Sequence, residues 1–197
     1  DRLLWGDEME YIVLCKGKNG SRWELDRKAV YALPALNNGG IGKWNHEYAS
    51  YMVEGLPINP FCDDIQSLER IEKDLRERRL AAGGYFAMNG RAIITLSNYP
   101  LLGAGHVNPD SNPISRSEYA SDELINPSHP RFASLTRNIR ERRKSNVCIR
   151  LPVFQDLHTK EQEVHMDAMV FGMGCCCLQL TFQVPDIAAA RRLYDQF

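Results

Sequence analysis

The sequence predicts an α+β protein built on an antiparallel sheet, and three observations support this prediction. Glu8–Cys15 is rich in β-branched and aromatic residues, which is typical of a strand. A turn at 16–20 and the short segment 22–25 follow it, as in a hairpin. A helical pattern begins at Asp63 or Asp64, either of which can cap it, and extends to about Ala82. Because turns rather than helices often join the strands, an antiparallel sheet is favoured.

The remaining elements alternate without any internal repeat. We expect the first helix to bury the stripe Ile65, Leu68, Ile71 and Leu75 and to end at Gly83-Gly84. Residues 99–130 contain many Pro, Gly, Ser and Asn and predict a long loop. The predicted strands are 48–54, 91–96, 147–154 and 176–184, and the predicted helices are 132–143 and a last one that starts at Pro185-Asp186.

Composition and charge exclude some classes of function. The 197 residues carry 24 basic and 25 acidic side chains, a net charge of −1, which argues against a general binder of nucleic acid or of acidic membranes. No apolar run is long enough to span a bilayer, and no signal peptide is visible. Since the chain begins without Met and stops inside a predicted helix, we expect a piece of a longer protein.

The six cysteines show no Cys-x-x-Cys pair and no spacing of a small disulfide-rich domain. We therefore predict free thiols in a reducing compartment, the cytoplasm. The five histidines have no metal-ligand spacing, and we assign them no role.

Two pairs of acids are candidates for a site. Glu8 and Glu10 leave the same face of their strand, at the end of an apolar face that continues with Ile12 and Leu14. At about 6 Å and an effective dielectric of about 20, such a pair costs roughly 3 kcal/mol, which a divalent cation removes. Residues at a strand end that simply face water are the alternative, and spacing alone favours it.

Glu47 and Glu54 are seven residues apart, so an uninterrupted strand would put them on opposite faces. They can meet only if the segment bends or if Glu47 lies in a preceding loop. The pattern alone favours two unrelated surface acids.

The third candidate is the segment 175–183. Its alternation places Cys177, Gln179 and Thr181 on a polar face, which is either wet or lines a site. The alternate residues Cys176, Leu178, Leu180 and Phe182 should be core. Neighbouring cysteines on a strand point apart, which disfavours zinc, and the preceding glycines at 172 and 174 are not a phosphate loop.

The basic segment 136–144 could bind phosphate or a substrate carboxylate through Arg137 and Arg140. A solvated helix face is the more common explanation, and we favour it here.

Four long stretches, in order, resemble one family. They are Trp-Gly-Asp-Glu-Met-Glu-Tyr at 5–11, Glu-Tyr-Ala-Ser-Tyr-Met-Val-Glu-Gly at 47–55, the run from His to Arg at 129–143, and Met-Asp-Ala-Met-Val-Phe-Gly-Met-Gly-Cys-Cys-Cys-Leu-Gln-Leu-Thr-Phe-Gln at 166–183. They are similar to the catalytic subunit of eukaryotic-type glutamate–cysteine ligases. The resemblance implies that residues 1–197 are the front part of the catalytic domain of a longer ligase.

The resemblance implies a fold like that of glutamine synthetase, an antiparallel sheet curled into a funnel with helices outside, here incomplete. It also implies the site residues. Glu8, Glu10, Glu47, Glu54 and Gln179 would be ligands of two or more Mg²⁺ ions, which requires the chain to bend at Glu47. Cys177 and the backbone near Met173 would line the amino-acid pocket, while a further acidic ligand and substrate-binding arginines belong to a later part of the family's chain.

The implied activity is the ATP-dependent joining of L-glutamate to L-cysteine, the first step of glutathione synthesis, through a γ-glutamyl phosphate. Carboxylates and an amide oxygen suit Mg²⁺, which helps to neutralise phosphoryl oxygens. Animal relatives pair with a smaller modifier subunit. Two other interpretations are open: an inactive truncated relative that binds a partner subunit, and a different carboxylate–metal enzyme that acts on phosphates.

Overall fold

The computed structural model describes residues 3–17, 19–20 and 22–197. The strands described are β1 (Leu4–Lys16), β2 (Trp23–Leu25), β3 (Lys43–His46), β4 (Met52–Leu56), β5 (Phe61–Cys62), β6 (Arg91–Ile94), β7 (Ile149–Pro152), β8 (Glu163–Met166) and β9 (Leu178–Phe182). The α-helices described are α1 (Leu33–Asn38), α2 (Ile65–Met88), α3 (Pro130–Arg143), α4 (Val170–Met173) and α5 (Ile187–Tyr194). Short 3₁₀ turns lie at Ala29–Ala32, Pro109–Ser111 and Asp122–Leu124.

The central element is β1, a strand of 13 residues. One of its edges pairs first with β9 and then with β6, and the other pairs with β5, β4 and β2. Strand β3 extends the sheet beyond β4, while β7 and β8 form a separate hairpin. All these pairings are antiparallel, which confirms the predicted α+β class with an antiparallel sheet. The sheet is not closed into a barrel, and the funnel stays a prediction.

Side chains alternate along β1 between two apolar layers. Tyr11 and Val13 enter one layer, which we call the back face, with α1, α2 and Trp44 of β3. Ile12 and Leu14 enter the other layer, the front face, where the segment 48–52, the long loop, α3 and α4 cover them. This division between the two faces is the one that the sequence pattern predicted.

Helix α2 differs from its prediction in length and in orientation. Asp64 caps its N-terminus by accepting a hydrogen bond from the backbone N of Ser67 at 2.7 Å, as expected. The helix continues through Gly83-Gly84 to Met88, because glycine inside a helix costs only about 1 kcal/mol. It stops where Gly90 adopts a φ of +69°.

The predicted apolar stripe of α2 is wrong at its first two residues, whereas Ile71 and Leu75 are half-buried. Ile65 is 70% exposed and Leu68 is 55% exposed. The helix instead buries a face formed by Ser67, Arg78, Ala82 and Phe86. A buried arginine between helix and sheet is the physical reason, because its partners dictate which side of the helix faces inward.

Arg78 is 1% exposed, and its guanidinium donates hydrogen bonds to three other residues. Its Nη2 donates to both carboxylate oxygens of Asp7 on the back face of β1, at 2.8 and 2.7 Å. Its Nη1 donates to the carbonyl of Gly55 in β4 at 2.6 Å, and its Nε donates to Asp74 at 2.6 Å. The contacts join α2, β1 and β4, and they leave Gly42 no space for a side chain, since a Cβ there would lie 2.8 Å from Arg78 Cδ.

The loop from 95 to 129 is ordered by side chains that bond to its backbone. Asp122 accepts from the backbone N of Ile114 and of Ser115, and Asp167 accepts from the Ser117 hydroxyl at 2.5 Å. The buried Asn112 donates to the carbonyl of Ser117. These bonds replace a regular ladder, which is why so polar a segment can cover the front face.

The C-terminal strand and helix lie where the sequence predicted them, but the predicted burial of the strand is wrong. Strand β9 exposes Leu178 and Leu180, which the alternation placed in the core, and α5 exposes Ile187 and Tyr194. Phe182 is partly covered by stacking on Trp5 and Phe197. None of the helices described is long and apolar enough to cross a membrane. The six cysteines, all of which are described, are free.

Removing Asp7 should be severely destabilising. In Asp7→Ala the Arg78 guanidinium stays buried without its main counter-charge, and we expect a loss of about 3–5 kcal/mol in the free energy of unfolding by urea. The control is Arg76→Ala, which removes an exposed ion pair with Glu72 and should cost less than about 1 kcal/mol. Equal losses for both variants would contradict this role of the buried pair.

Candidate functional site

Carboxylates from three segments meet on the front face of the sheet. Glu10 lies directly opposite Glu54 in the pairing of β1 with β4, and Glu8 lies two residues before Glu10. Carboxylate oxygens of Glu10, Glu47 and Glu54 lie within 4.8 Å of one another. Glu8 is close enough to Glu54 for a hydrogen bond between the two side chains. We call Glu8, Glu10, Glu47 and Glu54 the acidic cluster.

The position of the acidic cluster follows from the alternation along β1. The front face is apolar at Ile12 and Leu14, which pack into the core. Two residues earlier it becomes acidic at Glu10, which is nevertheless buried. The acids therefore lie at the border of an apolar layer, where water screens their charges poorly.

Glu47 reaches the cluster because the chain bends before β4. Strand β3 ends at His46, and residues 47–51 form a turn. The side chain of Asn126 donates to the Glu47 carbonyl at 2.7 Å, and the Tyr48 hydroxyl shares a 2.7 Å hydrogen bond with Thr136 of α3. The turn thus places Glu47 beside Glu54, which the strand period alone would have kept apart.

Burial and mutual repulsion raise the pKa values of these carboxyls. Burial is the main cause for Glu54, and the charges of Glu47 and Glu8 add to it, so its pKa rises to about 8. The pKa values of Glu10 and Glu47 are raised mainly by burial as well. Hydrogen bonds and the positive charge of Arg131 act in the opposite direction without cancelling the shift.

Strand β9 and the residue before it supply donors to the acidic cluster. The backbone N of Cys177 donates to Glu10 Oε2 at 2.8 Å, and Gln179 Nε2 donates to Glu10 Oε1 at 2.6 Å. The Thr181 hydroxyl donates to Glu8 at 2.9 Å. The side-chain amide of Gln179 uses its nitrogen for the bond to Glu10. The oxygen of the same amide can accept from a ligand or bind a cation. The predicted polar face of this strand therefore lies on the acidic cluster.

The approach to β9 is held by the turn that carries Glu47. The buried Tyr51 donates from its hydroxyl to the carbonyl of Gly174 at 3.0 Å. A Cβ at Gly174 would lie 2.1 Å from that hydroxyl, so only glycine fits there. Met173 is the last residue of α4, four residues before Cys177. The side chains of Met173 and Cys177 are both exposed.

The arginines of α3 are placed differently from one another. Arg140 donates to the carbonyls of Pro113 and Ile114 and so ties α3 to the long loop. Arg137 lies on the exposed side of the helix. Arg131, at the start of α3, is the arginine whose charge acts on Glu47.

Sequence reasoning missed Arg131, and it also missed Asn45 and His46. Asn45 lies opposite Glu54 on β3 and hydrogen-bonds to it. His46 has a buried Nδ1 without a partner among the described residues, and burial lowers its pKa. Asn45 and His46 directly precede Glu47 in the sequence, and Arg131 lies at the start of α3. Positions like these are too common in proteins to identify a site residue.

An open groove with a volume of about 360 Å³ runs beside Glu8. Its walls are mostly apolar, with Trp5, Pro57 and Phe182 among them, and Lys43 lies at its edge. The acidic cluster therefore has a neighbouring concave surface that can receive the less polar part of a ligand.

The geometry defines a class of site: several carboxylates and an amide oxygen on an open antiparallel sheet, a donor set that hard divalent cations prefer. Over residues 1–197 the chain matches the family model described as "Glutamate-cysteine ligase". The chain belongs to the glutamate–cysteine ligase family, as the four sequence stretches predicted.

Named relatives agree with this membership. The chain is 37% identical to the glutamate–cysteine ligase catalytic subunit of Homo sapiens, with all of this chain aligned. It is 34% identical to the glutamate–cysteine ligase of Dictyostelium discoideum over 98% of this chain, and 31% identical to that of Saccharomyces cerevisiae over 99%. The alignments cover 36%, 37% and 36% of those relatives, so the chain spans little more than a third of their length.

The raised pKa of Glu54 should make stability depend on pH when no metal is present. Below pH 4.5 the carboxyl is protonated in the folded and the unfolded chain. Between 4.5 and about 8 the unfolded chain releases this proton and the folded chain keeps it, so stability falls as the pH rises. We expect Glu54→Gln to recover on the order of a few kcal/mol at pH 8, but little at pH 4.5, in urea unfolding with a chelator. Glu72→Gln, on the exposed side of α2, serves as the control, and an equal gain there would contradict the assignment.

Proposed function

We propose that this chain is the front part of the catalytic domain of a glutamate–cysteine ligase, which joins L-glutamate to L-cysteine with ATP and Mg²⁺. The acidic cluster is the observation that carries the proposal. Four acids from three segments converge at the border of the core, beside a groove and an amide oxygen. Family membership supports the proposed reaction, because the family and the relatives are named glutamate–cysteine ligases.

The donor set fits Mg²⁺. Glu8, Glu10, Glu47, Glu54 and Gln179 would hold two or more ions, with oxygen as every ligand atom. The raised pKa values support this, because buried carboxylates that repel one another bind a cation at no further cost of desolvation. When bound, the ions would neutralise charge on the phosphoryl oxygens of ATP.

The chain's own residues then orient the reactants. The γ-carboxylate of glutamate is a poor electrophile, and we propose that ATP converts it to a γ-glutamyl phosphate that the amine of cysteine attacks. Cys177 and the backbone at Met173 would position the amino-acid substrate next to Glu10. The reaction needs no covalent nucleophile from the protein, so orientation and charge are what this sheet contributes.

We propose that the groove beside Glu8 receives the nucleotide. Its apolar walls at Trp5 and Phe182 suit a flat base, and the adjoining acids suit phosphates that arrive with Mg²⁺. Arg137 and Arg140 remain proposed contacts for phosphate or substrate carboxylate, although Arg140 would first have to release the carbonyls of Pro113 and Ile114.

Mg²⁺ should bind this chain directly. We expect Mg²⁺ to raise the melting temperature of the 197-residue chain at pH 8, because the ion replaces repulsion among buried carboxylates by attraction. Glu54→Gln should weaken the apparent affinity by about tenfold or more in a thermal titration. Glu72→Gln should match the unaltered chain, and an unchanged affinity in Glu54→Gln would reject the metal assignment.

The reaction itself is tested in the full-length protein that contains this sequence. We expect Glu54→Ala to reduce the Mg²⁺-dependent formation of γ-glutamylcysteine by at least about a hundredfold, since a ligand of the ion is lost. Glu72→Ala provides the matched control on the surface of α2. Wild-type ligation by Glu54→Ala would overturn the proposed role of the acidic cluster.

A second candidate is a non-catalytic relative that binds a partner such as a modifier subunit. The exposed apolar side chains of β9 and α5 favour it, because such a surface is typical of an interface. Ligation of glutamate to cysteine by the 197-residue chain alone would exclude this candidate. Release of phosphate from ATP without any amino acid would instead favour a different carboxylate–metal enzyme.

A further inference from the structure

A thiol and an imidazole face each other far along the chain from the acidic cluster. Cys148 comes directly before β7, and His165 lies in β8, the partner of β7 in the separate hairpin. Cys148 Sγ and His165 Nε2 are 3.4 Å apart. The thiol is exposed, so a small molecule in solution can reach it.

The imidazole of His165 is held in place against the body of the protein. Its ring packs edge-on against Tyr119 of the long loop, with the ring centres 4.9 Å apart. Its Nδ1 is buried and has no hydrogen-bond partner within the part of the chain that the structure describes. Among the described residues, the Cys148 sulfur is therefore the hydrogen-bond partner of this imidazole. This is the arrangement expected when a histidine accepts the proton of a thiol.

Arg150 brings a guanidinium to the same thiol. It lies opposite His165 in the pairing of β7 with β8, forms an ion pair with Glu163, and hydrogen-bonds to Cys148. Thiolate is the form of cysteine that attacks disulfides, and neighbouring basic groups favour its formation. Cys148 thus has both a proton acceptor and a guanidinium within contact distance.

Four of the other cysteines have the opposite surroundings. Burial raises the pKa of Cys15, Cys175, Cys176 and Cys177, and nearby acids raise it further. Cys177 is the informative comparison, because it is exposed like Cys148 but faces Glu10 and Glu47. Two exposed thiols of one chain therefore have different neighbours: an imidazole and a guanidinium that is paired with Glu163 at Cys148, and two carboxylates at Cys177.

The charge near Cys148 also indicates whether a cationic or an anionic reagent reacts with it more readily. Arg142, Arg143 and Lys144 at the end of α3 are exposed, and Lys144 is only four residues from Cys148. Four residues span at most about 14 Å of chain, so the backbone of Lys144 lies within about two Debye lengths of that of Cys148 at physiological salt. A negatively charged reagent is attracted to this surface, and a positively charged one is repelled.

We propose that Cys148 is a modification site that forms a mixed disulfide with small anionic disulfides, with His165 as its base. The thiol proton moves to His165 Nε2, and the thiolate attacks one sulfur of the disulfide. The new bond joins Cys148 to that sulfur, the old S–S bond breaks, and the leaving thiolate takes the proton from His165. Cys148 is oxidised and the released thiol is reduced, so the step needs no other oxidant.

The test measures the rate at which each cysteine of the 197-residue chain reacts with oxidised glutathione, by peptide mass spectrometry at pH 7.4. We expect Cys148 to react about tenfold faster than Cys177. Cystamine, a cationic disulfide, should modify Cys148 several-fold more slowly than oxidised glutathione does. Equal rates at Cys148 and Cys177, or a faster reaction with cystamine, would overturn the proposal.

Two variants distinguish a base from a structural residue. His165→Asn should slow the reaction of Cys148 about tenfold, and Arg150→Gln should slow it by a smaller factor. His158→Asn, an exposed histidine in the loop of the same hairpin, should leave the rate unchanged. The reaction rate of Cys177 in the same sample is the internal control, and it should stay unchanged in every variant that folds. An unchanged Cys148 rate in His165→Asn would reject the role of this imidazole. If His165→Asn fails to fold, the Cys148 rate in Arg150→Gln is the test, and an unchanged rate there would reject the contribution of the guanidinium charge.

Discussion

The alternation of side chains along β1 is the constraint on which the rest of the structure depends. Every second residue points to the back face, where Asp7 is neutralised by the buried Arg78 of α2. The residues between them point to the front face, where no cation of the described part of the chain forms an ion pair with Glu8 or Glu10. A shift of one residue in the pairing would exchange the two faces and bury the wrong charges. The ion pair on one face therefore helps to keep the acids on the other.

The same arrangement explains why the acidic cluster is a site and not simply a polar edge. Glu10 and Glu54 are buried between β9 and β3, and the turn at 47–51, whose backbone Asn126 holds at the Glu47 carbonyl, adds a third carboxyl. A carboxylate at a flexible surface would turn toward water and relieve the repulsion. Here the backbone pairing holds the oxygens within 4.8 Å, so protonation or a cation has to relieve it.

Much of the fold could be read from local patterns, and the errors share one cause. The strand at 8–15, the cap at Asp64 and the helix at 132–143 follow from periodicity and end signals, which neighbouring residues settle among themselves. The inward face of α2 and the burial of β9 depend on partners distant in the chain. Leu68 is exposed because Arg78 had to meet Asp7, and no local pattern contains that requirement.

For the site, the sequence by itself determined that Glu8 and Glu10 share one face, that Gln179 and Cys177 share another, and which family the chain belongs to. A period of two residues and long matching stretches are sufficient for this. Only the tertiary structure decided that these faces coincide, that the bend after His46 delivers Glu47, and that Arg131 rather than Arg137 acts on it. Pairing between distant strands sets those distances, and no single segment encodes them.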